Sequence, residues 1–258
     1  MGPRLSCNPG GALIDVGLEA ALRRLAHSSR LLVACDYDGT LSPIVDDPSA
    51  AVPYVPAVDA LIGLAGVPNV RSVIISGRSL EALEALVNAP PSVTLIGDHG
   101  AQLSESDHGA PGTIAAVTDA LAEAAEAFDG AAIEPKPLGA AFHYRHVVAA
   151  ADAASAARTI GAKFDARIIE GKHVVEIVVG VGDKGSAINQ VRESGSYDGV
   201  VFFGDDVTDE DVFATLSDDD VGVKVGEGPT RARYRVADPA QVAEALEKLR
   251  SELRSLNP

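Results

Sequence analysis

An unbroken apolar run, Leu31–Cys35, stops at two carboxylates, Asp36 and Asp38. The run has the length of a strand, and its lack of alternation predicts burial on both faces, as in the middle of a parallel sheet. Segments of helical periodicity, among them 57–66, separate it from further predicted strands at 70–75, 93–96, 200–203 and 221–225, and a closing helix is expected at 241–253. This alternation predicts an α/β fold, a Rossmann-like parallel-sheet core with helices on both faces.

The alternation is interrupted between about residues 105 and 182. There the sequence predicts two helices, at 113–128 and 149–161, and about four short strands, which together make a small α+β unit. Insertion at a loop is the usual way to add a lid to such a core. We therefore expect a flexible tail at 1–14, a core formed by 15–104 and 183–258, and an inserted α+β cap at 105–182.

Composition narrows the possible functions of the chain. Of its 258 residues, 21 are Lys or Arg and 37 are Asp or Glu, which gives a formal net charge of −16. Such an acidic chain is a poor partner for nucleic acid, because phosphate backbones recruit basic faces. The hydrophobic share of 47% fits a folded globular protein. No run approaches the roughly 18 apolar residues of a membrane helix.

Other features of the sequence bear on the cellular location and the partners of the protein. Cys7 and Cys35 are its only cysteines, and we expect two reduced thiols. The N-terminal residues lack the charged-then-apolar pattern of a signal peptide, so the cytoplasm is the expected location. We expect a monomer or a weak homodimer, with no nucleic-acid partner and no membrane partner.

Asp36 and Asp38 stand outside the carboxyl end of a predicted strand, where ligands bind in open α/β sheets. One carboxylate there can attack phosphorus as a nucleophile, and the other can protonate the leaving oxygen. Gly39 allows a tight turn, which the hydroxyl of Thr40 can fix by hydrogen bonding. An Asp-x-Asp pair is also common in ordinary turns, so the buried run before it carries much of the argument.

Two other positions suit a phosphoryl group. Ser76-Gly77-Arg78 follows the run at 70–75 and offers a hydroxyl and a backbone amide. Taken alone, Ser76 is better interpreted as the cap of the next helix, and Arg78 as a surface charge. Lys184 opens a predicted helix, where a cation opposes the helix dipole. That mild conflict hints at a role in neutralising a phosphate, although an ordinary surface lysine remains the alternative.

Five acids crowd into Gly204–Asp211, directly after the run at 200–203. A hard cation relieves their mutual repulsion, and carboxylate oxygens suit Mg²⁺. The alternative is an acidic first helical turn, which the helix dipole favours. We expect both: Asp205 faces a metal, while Glu210 and Asp211 mainly support the helix. The acids at 218–220 are expected in a solvated loop without a role.

In their order along the chain, these four motifs resemble the haloacid dehalogenase superfamily of phosphotransferases. Within it, residues 31–248 resemble the trehalose-6-phosphate phosphatase family. The stretches that carry the resemblance are DYDGTLSPI at 36–44, SGRS at 76–79, GDHGA at 97–101, EPKPL at 134–138, HYR at 143–145, KHVVE at 172–176, GDDVTDED at 204–211 and VGEGPT at 225–230.

The resemblance implies a role for each residue of the core motifs. Asp36 would be the nucleophile and form an aspartyl-phosphate. Asp38 would act first as general acid and then as general base. Ser76 and Lys184 would hold the phosphoryl group. The implied Mg²⁺ ligands are the Asp36 carboxylate, the Asp38 backbone carbonyl, Asp205 and, directly or through water, Asp209.

The resemblance also implies that the inserted unit is a lid whose Glu134, Lys136 and Glu176 recognise the sugar, with Arg145 nearby. Carboxylates and an ammonium suit this task because they can chelate neighbouring hydroxyls. Without the resemblance these would be ordinary surface charges, and His143 is expected to be structural. The core residues implied to contact the substrate are Thr40, Gly77, Arg78 and His99.

Two departures from the family pattern concern fine substrate contacts. Asp98 stands where the family often has Asn or a small polar residue. After Glu176 the chain reads Ile177-Val178-Val179-Gly180, without the Arg-Pro pair of many members. Neither departure touches the residues that are expected to carry the chemistry.

The sequence therefore predicts Mg²⁺-dependent hydrolysis of a small-molecule sugar phosphate, trehalose 6-phosphate, to trehalose and phosphate. A phosphatase of another sugar phosphate, such as sucrose phosphate or a glycosyl-phosphoglycerate, shares the four core motifs. A receiver-type phosphorylation switch also has an acidic α/β pocket but should lack a large inserted unit. A non-catalytic sugar-phosphate sensor would bind without turnover, and the intact pair Asp36 and Asp38 argues against it.

Overall fold

A computed structural model gives the fold for residues 14–45, 51–100, 111–136, 138–164, 166–179 and 183–256. Residues 1–13 of the predicted tail, including Cys7, lie outside these ranges. Residues 104, 105 and 182, at the predicted borders of the cap, lie outside them too, so those borders stay predictions.

The helices and strands alternate along the core and are interrupted by a second group of elements. In chain order they are α1 (Val16–Leu25), β1 (Leu31–Asp36), α2 (Val55–Ala65), β2 (Val70–Ile75), α3 (Leu80–Val87), β3 (Val93–Ile96), α4 (Pro111–Glu126), β4 (Ala132–Lys136), β5 (Gly139–His143), α5 (Ala150–Lys163), β6 (Arg167–Gly171), β7 (Val174–Val178), α6 (Lys184–Gly195), β8 (Gly199–Gly204), α7 (Asp209–Thr215), β9 (Val221–Val225), β10 (Tyr234–Val236) and α8 (Pro239–Leu256). A short 3-10 turn, Asp98–Gly100, follows β3.

The core is a parallel sheet with the strand order β10-β9-β8-β1-β2-β3. The strands β1, β8 and β9 are buried along their whole length. Side chains of β1 alternate between the two faces of the sheet. Leu31 and Val33 pack in a cluster with α1, α2 and α8, whereas Leu32 and Ala34 pack in a cluster with α6 and α7. Helices on both faces thus confirm the predicted Rossmann-like core.

A second sheet, antiparallel and ordered β4-β5-β7-β6, lies in the chain between β3 and α6. We call the segment from α4 to β7 the inserted unit. One face of its sheet packs on α4 and α5 through an apolar cluster that includes Phe142 and Ile177. On the other face the register sets Glu134 opposite Ala141, and Ala141 opposite Glu176. Together with the parallel core, this unit confirms the predicted fold class.

Three helices begin earlier than predicted, and each has a proline in its first turn. The helix α2 begins at Val55 rather than at 57, α4 at Pro111 rather than at 113, and α8 at Pro239 rather than at 241. The first N–H groups of a helix have no partner within the helix, so proline loses nothing there. Proline therefore marked the start of these helices, not the loop before them.

The prediction of a solvated loop at 218–220 is wrong for Asp220. This residue is buried and accepts hydrogen bonds from the backbone N–H groups of Val200 and Ser217, at 2.9 and 2.8 Å. It also pairs with Arg192 at 2.8 Å. Asp220 therefore ties the loop before β9 to the start of β8. The edge strand β10 was likewise missing from the prediction, because three residues are too few to show a pattern.

The strand β1 also contains the cysteine that the structure describes. Cys35 is a free, buried thiol. Burial raises its pKa well above the ordinary value, and the neighbouring carboxylate of Asp36 adds to that rise. Among the described helices, none combines the length and the apolarity needed to cross a membrane.

Candidate active site

The ends of three adjacent strands bring the core motifs together. The strand β1 lies between β2 and β8, and all three run in the same direction. Asp36 is the last residue of β1, Ser76 follows β2, and Asp205 follows β8. Their side chains therefore lie at one edge of the sheet, where ligands bind in folds of this kind.

Asp36, Lys184 and Asp209 form a buried cluster of charges at this edge. Lys184 Nζ donates hydrogen bonds to Asp36 Oδ1 at 2.6 Å and to Asp209 Oδ1 at 2.8 Å. Burial lowers the pKa of Lys184, but the carboxylates of Asp209 and Asp36 outweigh burial and raise it above its ordinary value. The ammonium therefore stays charged inside the protein.

The start of α6 holds Lys184 in this place. The side chain of Asp183 caps the helix by accepting a hydrogen bond from the N–H of Ser186 at 2.6 Å. Gly185 lets α6 approach α7 closely, since a Cβ there would lie 2.5 Å from the backbone oxygen of Asp211. The helix dipole disfavours a cation at this end, and the two buried carboxylates compensate for that cost.

A third carboxylate completes the acidic part of the cluster. One oxygen each of Asp36, Asp205 and Asp209 lie within 4.8 Å of one another. Burial and the charges of Asp209 and Asp206 raise the pKa of Asp205 to about 7. Its Oδ1 is buried and has no hydrogen-bond partner among the described residues. Crowded hard oxygens, one of them unpartnered, fit Mg²⁺ better than a softer metal.

The protonation of Asp36 depends on the positive charge around it. Burial raises its pKa, the ammonium of Lys184 opposes this rise, and the carboxylates of Asp209 and Asp205 add to it. A carboxylate must be ionised to act as a nucleophile. The cluster therefore needs more positive charge than Lys184 supplies, which a bound cation can provide.

Two residues fix the loop that carries Asp205. Gly39 has a φ of +80°, and a Cβ there would lie 2.1 Å from Asp205 Oδ2, so only glycine fits. Lys224 Nζ donates to the backbone oxygen of Asp205. Lys224 was not among the predicted site residues, although a lysine inside a largely apolar strand is a usable signal. A buried ammonium must find a partner, and here the partner is the loop that carries Asp205.

Asp38 is held by Arg78 through two hydrogen bonds. Arg78 Nε donates to Asp38 Oδ2 and Nη2 donates to Oδ1, both at 2.7 Å. The guanidinium also lies 5.8 Å from the ring centroid of Tyr37. The hydrogen bond to Asp38 raises the pKa of Arg78 still further. Arg78 is therefore a partner of the predicted acid and not the surface charge that its motif alone suggested.

Ser76 does not cap the next helix, because Ser79 does. Ser76 is buried, and its Oγ accepts a hydrogen bond from the N–H of Arg78 at 3.1 Å, which leaves its hydroxyl free to donate. Gly77 makes room for the ring of His99, since a Cβ at Gly77 would lie 2.5 Å from His99 Cε1. This loop therefore offers a hydroxyl beside Asp36 and packs directly on His99.

The polar face of the inserted unit is organised around Glu134. Lys136 Nζ lies 3.1 Å from Glu134 Oε1, and His143 Nε2 lies 3.0 Å from Glu134 Oε2. The hydrogen bond from His143 and the charge of Lys136 outweigh burial and lower the pKa of Glu134 to about 2. His143 thus contacts one of the residues that the resemblance assigns to sugar recognition.

This polar face meets the core beside the strand ends. Lys136 Nζ donates to the backbone oxygen of Gly77 at 3.2 Å. Glu176 Oε2 lies 3.8 Å from His99 Nε2. The structure therefore brings Glu134, Lys136 and Glu176 into one group that borders the loop after β2.

A third contact between the inserted unit and the core involves residues whose pairing the sequence does not reveal. Arg167 forms a hydrogen-bonded ion pair with Asp211 and lies 4.0 Å from Asp183 Oδ2. Glu210 Oε2 accepts a hydrogen bond from the N–H of Arg231 at 2.7 Å. Glu210 and Asp211 therefore bind other segments, in addition to the helix-supporting role that was expected of them.

Two of the expected substrate contacts, Thr40 and Arg145, have different surroundings. Thr40 is buried, and its hydroxyl has no hydrogen-bond partner within the described part of the chain. Arg145 is exposed in the turn that follows β5, two positions after His143. The other end of β5, Gly139, pairs with Lys136. Arg145 therefore lies at the end of the strand far from the contact with the core.

Taken together, the site combines a buried carboxylate stabilised by an ammonium, a second carboxylate, a free hydroxyl donor and an acidic cluster suited to a cation. The inserted unit adds carboxylates and an ammonium on the facing side. Such a set can bind a phosphate ester, accept its phosphoryl group on a carboxylate and hold the alcohol part against the inserted unit.

Comparison with known proteins adds an independent line of evidence. Residues 34–240 match the family model of trehalose-phosphatase. A trehalose-phosphate phosphatase of Mycobacterium marinum is 33% identical over 249 residues, which cover 88% of this chain and 63% of that protein. The chain therefore spans less than two thirds of the length of this curated relative.

Two solved structures share the fold. The trehalose-6-phosphate phosphatase of Aspergillus fumigatus superposes with a TM-score of 0.66 and 27% identity, over 93% of this chain and 98% of that chain. The C-terminal domain of a C. albicans trehalose-6-phosphate phosphatase gives a TM-score of 0.74 and 25% identity, over 93% and 98%. At this coverage the likeness includes both the parallel core and the inserted unit.

Proposed function

The chain belongs to the trehalose-phosphatase family, and from this premise we propose that it hydrolyses trehalose 6-phosphate to trehalose and phosphate. One observation carries the proposal. Asp36, buried at the end of β1 and bonded to Lys184, lies beside a loop that the polar face of the inserted unit contacts through Lys136. A phosphoryl acceptor and a set of groups for sugar hydroxyls therefore border one site.

In the first step, a carboxylate oxygen of Asp36 attacks phosphorus, and the bond from phosphorus to the sugar oxygen breaks. Asp38 gives its proton to that oxygen, so trehalose leaves as a neutral alcohol. Asp36 then carries the phosphoryl group as an aspartyl-phosphate. The ammonium of Lys184 and the hydroxyl of Ser76 offset negative charge on the phosphoryl oxygens as it develops.

In the second step, Asp38 is ionised and takes a proton from a water molecule. The water oxygen attacks phosphorus, the bond from phosphorus to Asp36 breaks, and phosphate is released. The Asp36 carboxylate is restored and Asp38 is protonated again. A second carboxylate two residues after the nucleophile therefore suits hydrolysis, because it serves both steps with one proton.

The contact between Asp38 and Arg78 has a consequence for the first step. When both oxygens of a carboxylate accept hydrogen bonds from a guanidinium, neither oxygen is placed to hand a proton to a leaving group. Asp38 must therefore leave Arg78 before it acts as an acid. A phosphate dianion is a competing partner for Arg78, whose backbone N–H already binds Ser76 Oγ. Substrate binding would thus free Asp38.

The residues present fit Mg²⁺. Asp36, Asp205 and the backbone carbonyl of Asp38 would hold it. Asp209 Oδ1 accepts from Lys184 and Oδ2 accepts from the N–H of Asp206 at 2.9 Å, which supports an indirect contact through water. When bound, the ion supplies positive charge that keeps the carboxylates ionised and offsets the charge of the phosphoryl oxygens.

The inserted unit would act as the cap predicted at 105–182, closing over the site and excluding bulk water. Glu134, Lys136 and Glu176 would bind sugar hydroxyls as acceptors and donors. The hydrogen bond from His143 supports this role of Glu134, because it keeps the carboxylate ionised and oriented. These three residues would make the enzyme selective for trehalose 6-phosphate over other sugar phosphates.

The direct test is phosphate release from a panel of esters, each with Mg²⁺ and with EDTA. The panel contains trehalose 6-phosphate, sucrose 6-phosphate, a glucosyl-phosphoglycerate and glucose 6-phosphate. We expect strong, metal-dependent preference for trehalose 6-phosphate. Preference for another ester would keep the mechanism and replace the substrate. Absence of turnover on every ester would contradict the proposal and leave a sugar-phosphate sensor.

A further inference from the structure

Asp98 occupies a turn that is hydrogen-bonded directly to the loop at 76–78. Its backbone N–H donates to the oxygen of Arg78 at 2.7 Å, and the N–H of His99 donates to the oxygen of Ser76 at 2.9 Å. The turn is built from three successive residues with positive φ: Asp98 at 49°, His99 at 55° and Gly100 at 91°. Aspartate tolerates this region better than most residues. The backbone thus fixes Asp98 beside the loop that would hold the phosphoryl group.

The carboxylate of Asp98 is buried and incompletely satisfied. The residue is 7% exposed, and its Oδ1 has no hydrogen-bond partner in the part of the chain that the structure describes. Buried polar atoms in proteins nearly always find a partner. An unpartnered carboxylate oxygen beside the loop at 76–78 therefore points to a ligand that supplies a donor.

The charged groups around Asp98 belong mainly to the inserted unit. Burial raises the pKa of Asp98, Lys136 opposes this rise, and Glu176 and Glu134 increase it, with His99 acting against it. The contacts of Lys136 with Gly77 and of Glu176 with His99 lie on the same loop and turn. Asp98 is therefore a carboxylate of the core in the same group as the polar face of the inserted unit.

We propose that Asp98 determines specificity by accepting a hydrogen bond from a hydroxyl of an uncharged sugar. This inference rests on the proposed function and assigns a contact that the resemblance did not imply. Three carboxylates, Asp98, Glu134 and Glu176, then surround the sugar with a single ammonium, that of Lys136. Their net negative charge favours a neutral polyol and repels a sugar that carries its own carboxylate.

A bound phosphate group does not account for the unpartnered, buried oxygen of Asp98. Two negative groups repel, and the phosphoryl oxygens already have Lys184 and Ser76 as donors. A metal ion does not explain it either, since the acidic cluster of Asp36, Asp205 and Asp209 is a separate group. A sugar hydroxyl supplies the donor that the buried oxygen lacks and carries no charge to be repelled.

The test compares Asp98→Asn and Asp98→Gly with the unmodified protein. Glycine removes the side chain without straining a φ of 49°, and Asn keeps its shape and one acceptor but no charge. For trehalose 6-phosphate, we expect KM to rise about 20-fold or more in the Gly variant and roughly 3–5-fold in the Asn variant. For p-nitrophenyl phosphate, which has no sugar, kcat/KM should stay within about 2-fold. Asp219→Asn, an exposed acid, is the matched control.

A second substrate keeps the test decisive if the Gly variant folds poorly. The Asn variant should use 6-phosphogluconate, a sugar phosphate with a carboxylate, at least as well as the unmodified protein does, while its use of trehalose 6-phosphate falls. Equal loss on all three esters, or no loss on trehalose 6-phosphate, would overturn the inference. Failure of the proposed function shows separately, because the unmodified protein would then not hydrolyse trehalose 6-phosphate at all.

Discussion

The buried cluster at the strand ends and the polar face of the inserted unit shift the pKa values of their carboxylates in opposite directions. In the core, burial raises the pKa of Asp36 and of Asp205. On the inserted unit, Glu134 is half exposed and its pKa is lowered to about 2 by His143 and Lys136. The buried cluster therefore favours protonation of its carboxylates, whereas the polar face of the inserted unit keeps Glu134 ionised at every physiological pH.

This difference corresponds to two tasks. A buried, crowded carboxylate gains reactivity and affinity for a cation when positive charge arrives with the substrate or the metal. A half-exposed carboxylate with two steady partners is an oriented hydrogen-bond acceptor. We therefore expect changes in the buried cluster of Asp36, Asp205 and Lys184 to affect every ester equally. Changes on the polar face of the inserted unit should affect the sugar ester selectively.

The largest effect is expected from Asp36→Asn. An amide cannot form the aspartyl-phosphate, so turnover should fall by about 10³-fold or more on trehalose 6-phosphate and on p-nitrophenyl phosphate alike. Phosphate release measures both rates. Retention of a tenth of the activity on either ester would show that Asp36 is not the nucleophile.

Next in size is Lys184→Met, which leaves Asp36 and Asp209 buried without their shared cation. We expect the free energy of unfolding to fall by about 3–5 kcal/mol, together with most of the activity on both esters. Urea unfolding measures the first effect. The control is Lys248→Met, because the pair of Lys248 with Glu19 is partly exposed and should contribute less than about 1 kcal/mol. Equal costs for the two variants would contradict the account of the buried cluster.

The pKa of Asp205, about 7, predicts how Mg²⁺ acts on stability. An acid whose pKa is raised on folding stabilises the metal-free protein below about pH 4 and loses that contribution as pH rises to about 7. Mg²⁺ binds the ionised form. It should therefore raise the melting temperature more at pH 8 than at pH 5.5, and Asp205→Asn should remove most of the difference. The same shift at both pH values in the unmodified protein would rule this out.

A smaller effect is expected where the two regions meet. Arg167→Met removes the ion pair from the inserted unit to Asp211 and should raise KM for trehalose 6-phosphate about 2–3-fold, because the unit is held less firmly. Arg158→Met is the matched control, since Arg158 pairs with Glu170 inside the unit. Steady-state kinetics should show the rise in KM for Arg167→Met and no such rise for Arg158→Met. If they behave alike, the contact with the core has no role in binding.

Much of the fold follows from local patterns that the sequence displays. The strands β2, β3 and β9 were predicted with their observed ends, because each is rich in Val, Ile or Leu and is bounded by polar residues or glycine. The site residues at strand ends follow from the same reasoning. A parallel sheet gathers such residues at one edge, whatever their distance along the chain.

What the sequence could not reveal is how charged residues pair across elements. Arg78 could equally have been a surface charge, and nothing local connects it with Asp38. The contact of Arg167 with Asp211 depends on how the inserted unit meets the core. Only Lys224 carried a signal that could have been used, because a charge within a buried strand requires a partner.

The central claim is that the buried cluster at the strand ends performs the chemistry and the polar face of the inserted unit selects the sugar, with Asp98 beside it. The most direct measurement is the ratio of kcat/KM for trehalose 6-phosphate to that for p-nitrophenyl phosphate, in the unmodified protein and in Glu134→Ala and Glu176→Ala. We predict that the ratio falls about 30-fold or more in both variants, while use of p-nitrophenyl phosphate changes less than about 2-fold. An equal fall on both esters would contradict the claim.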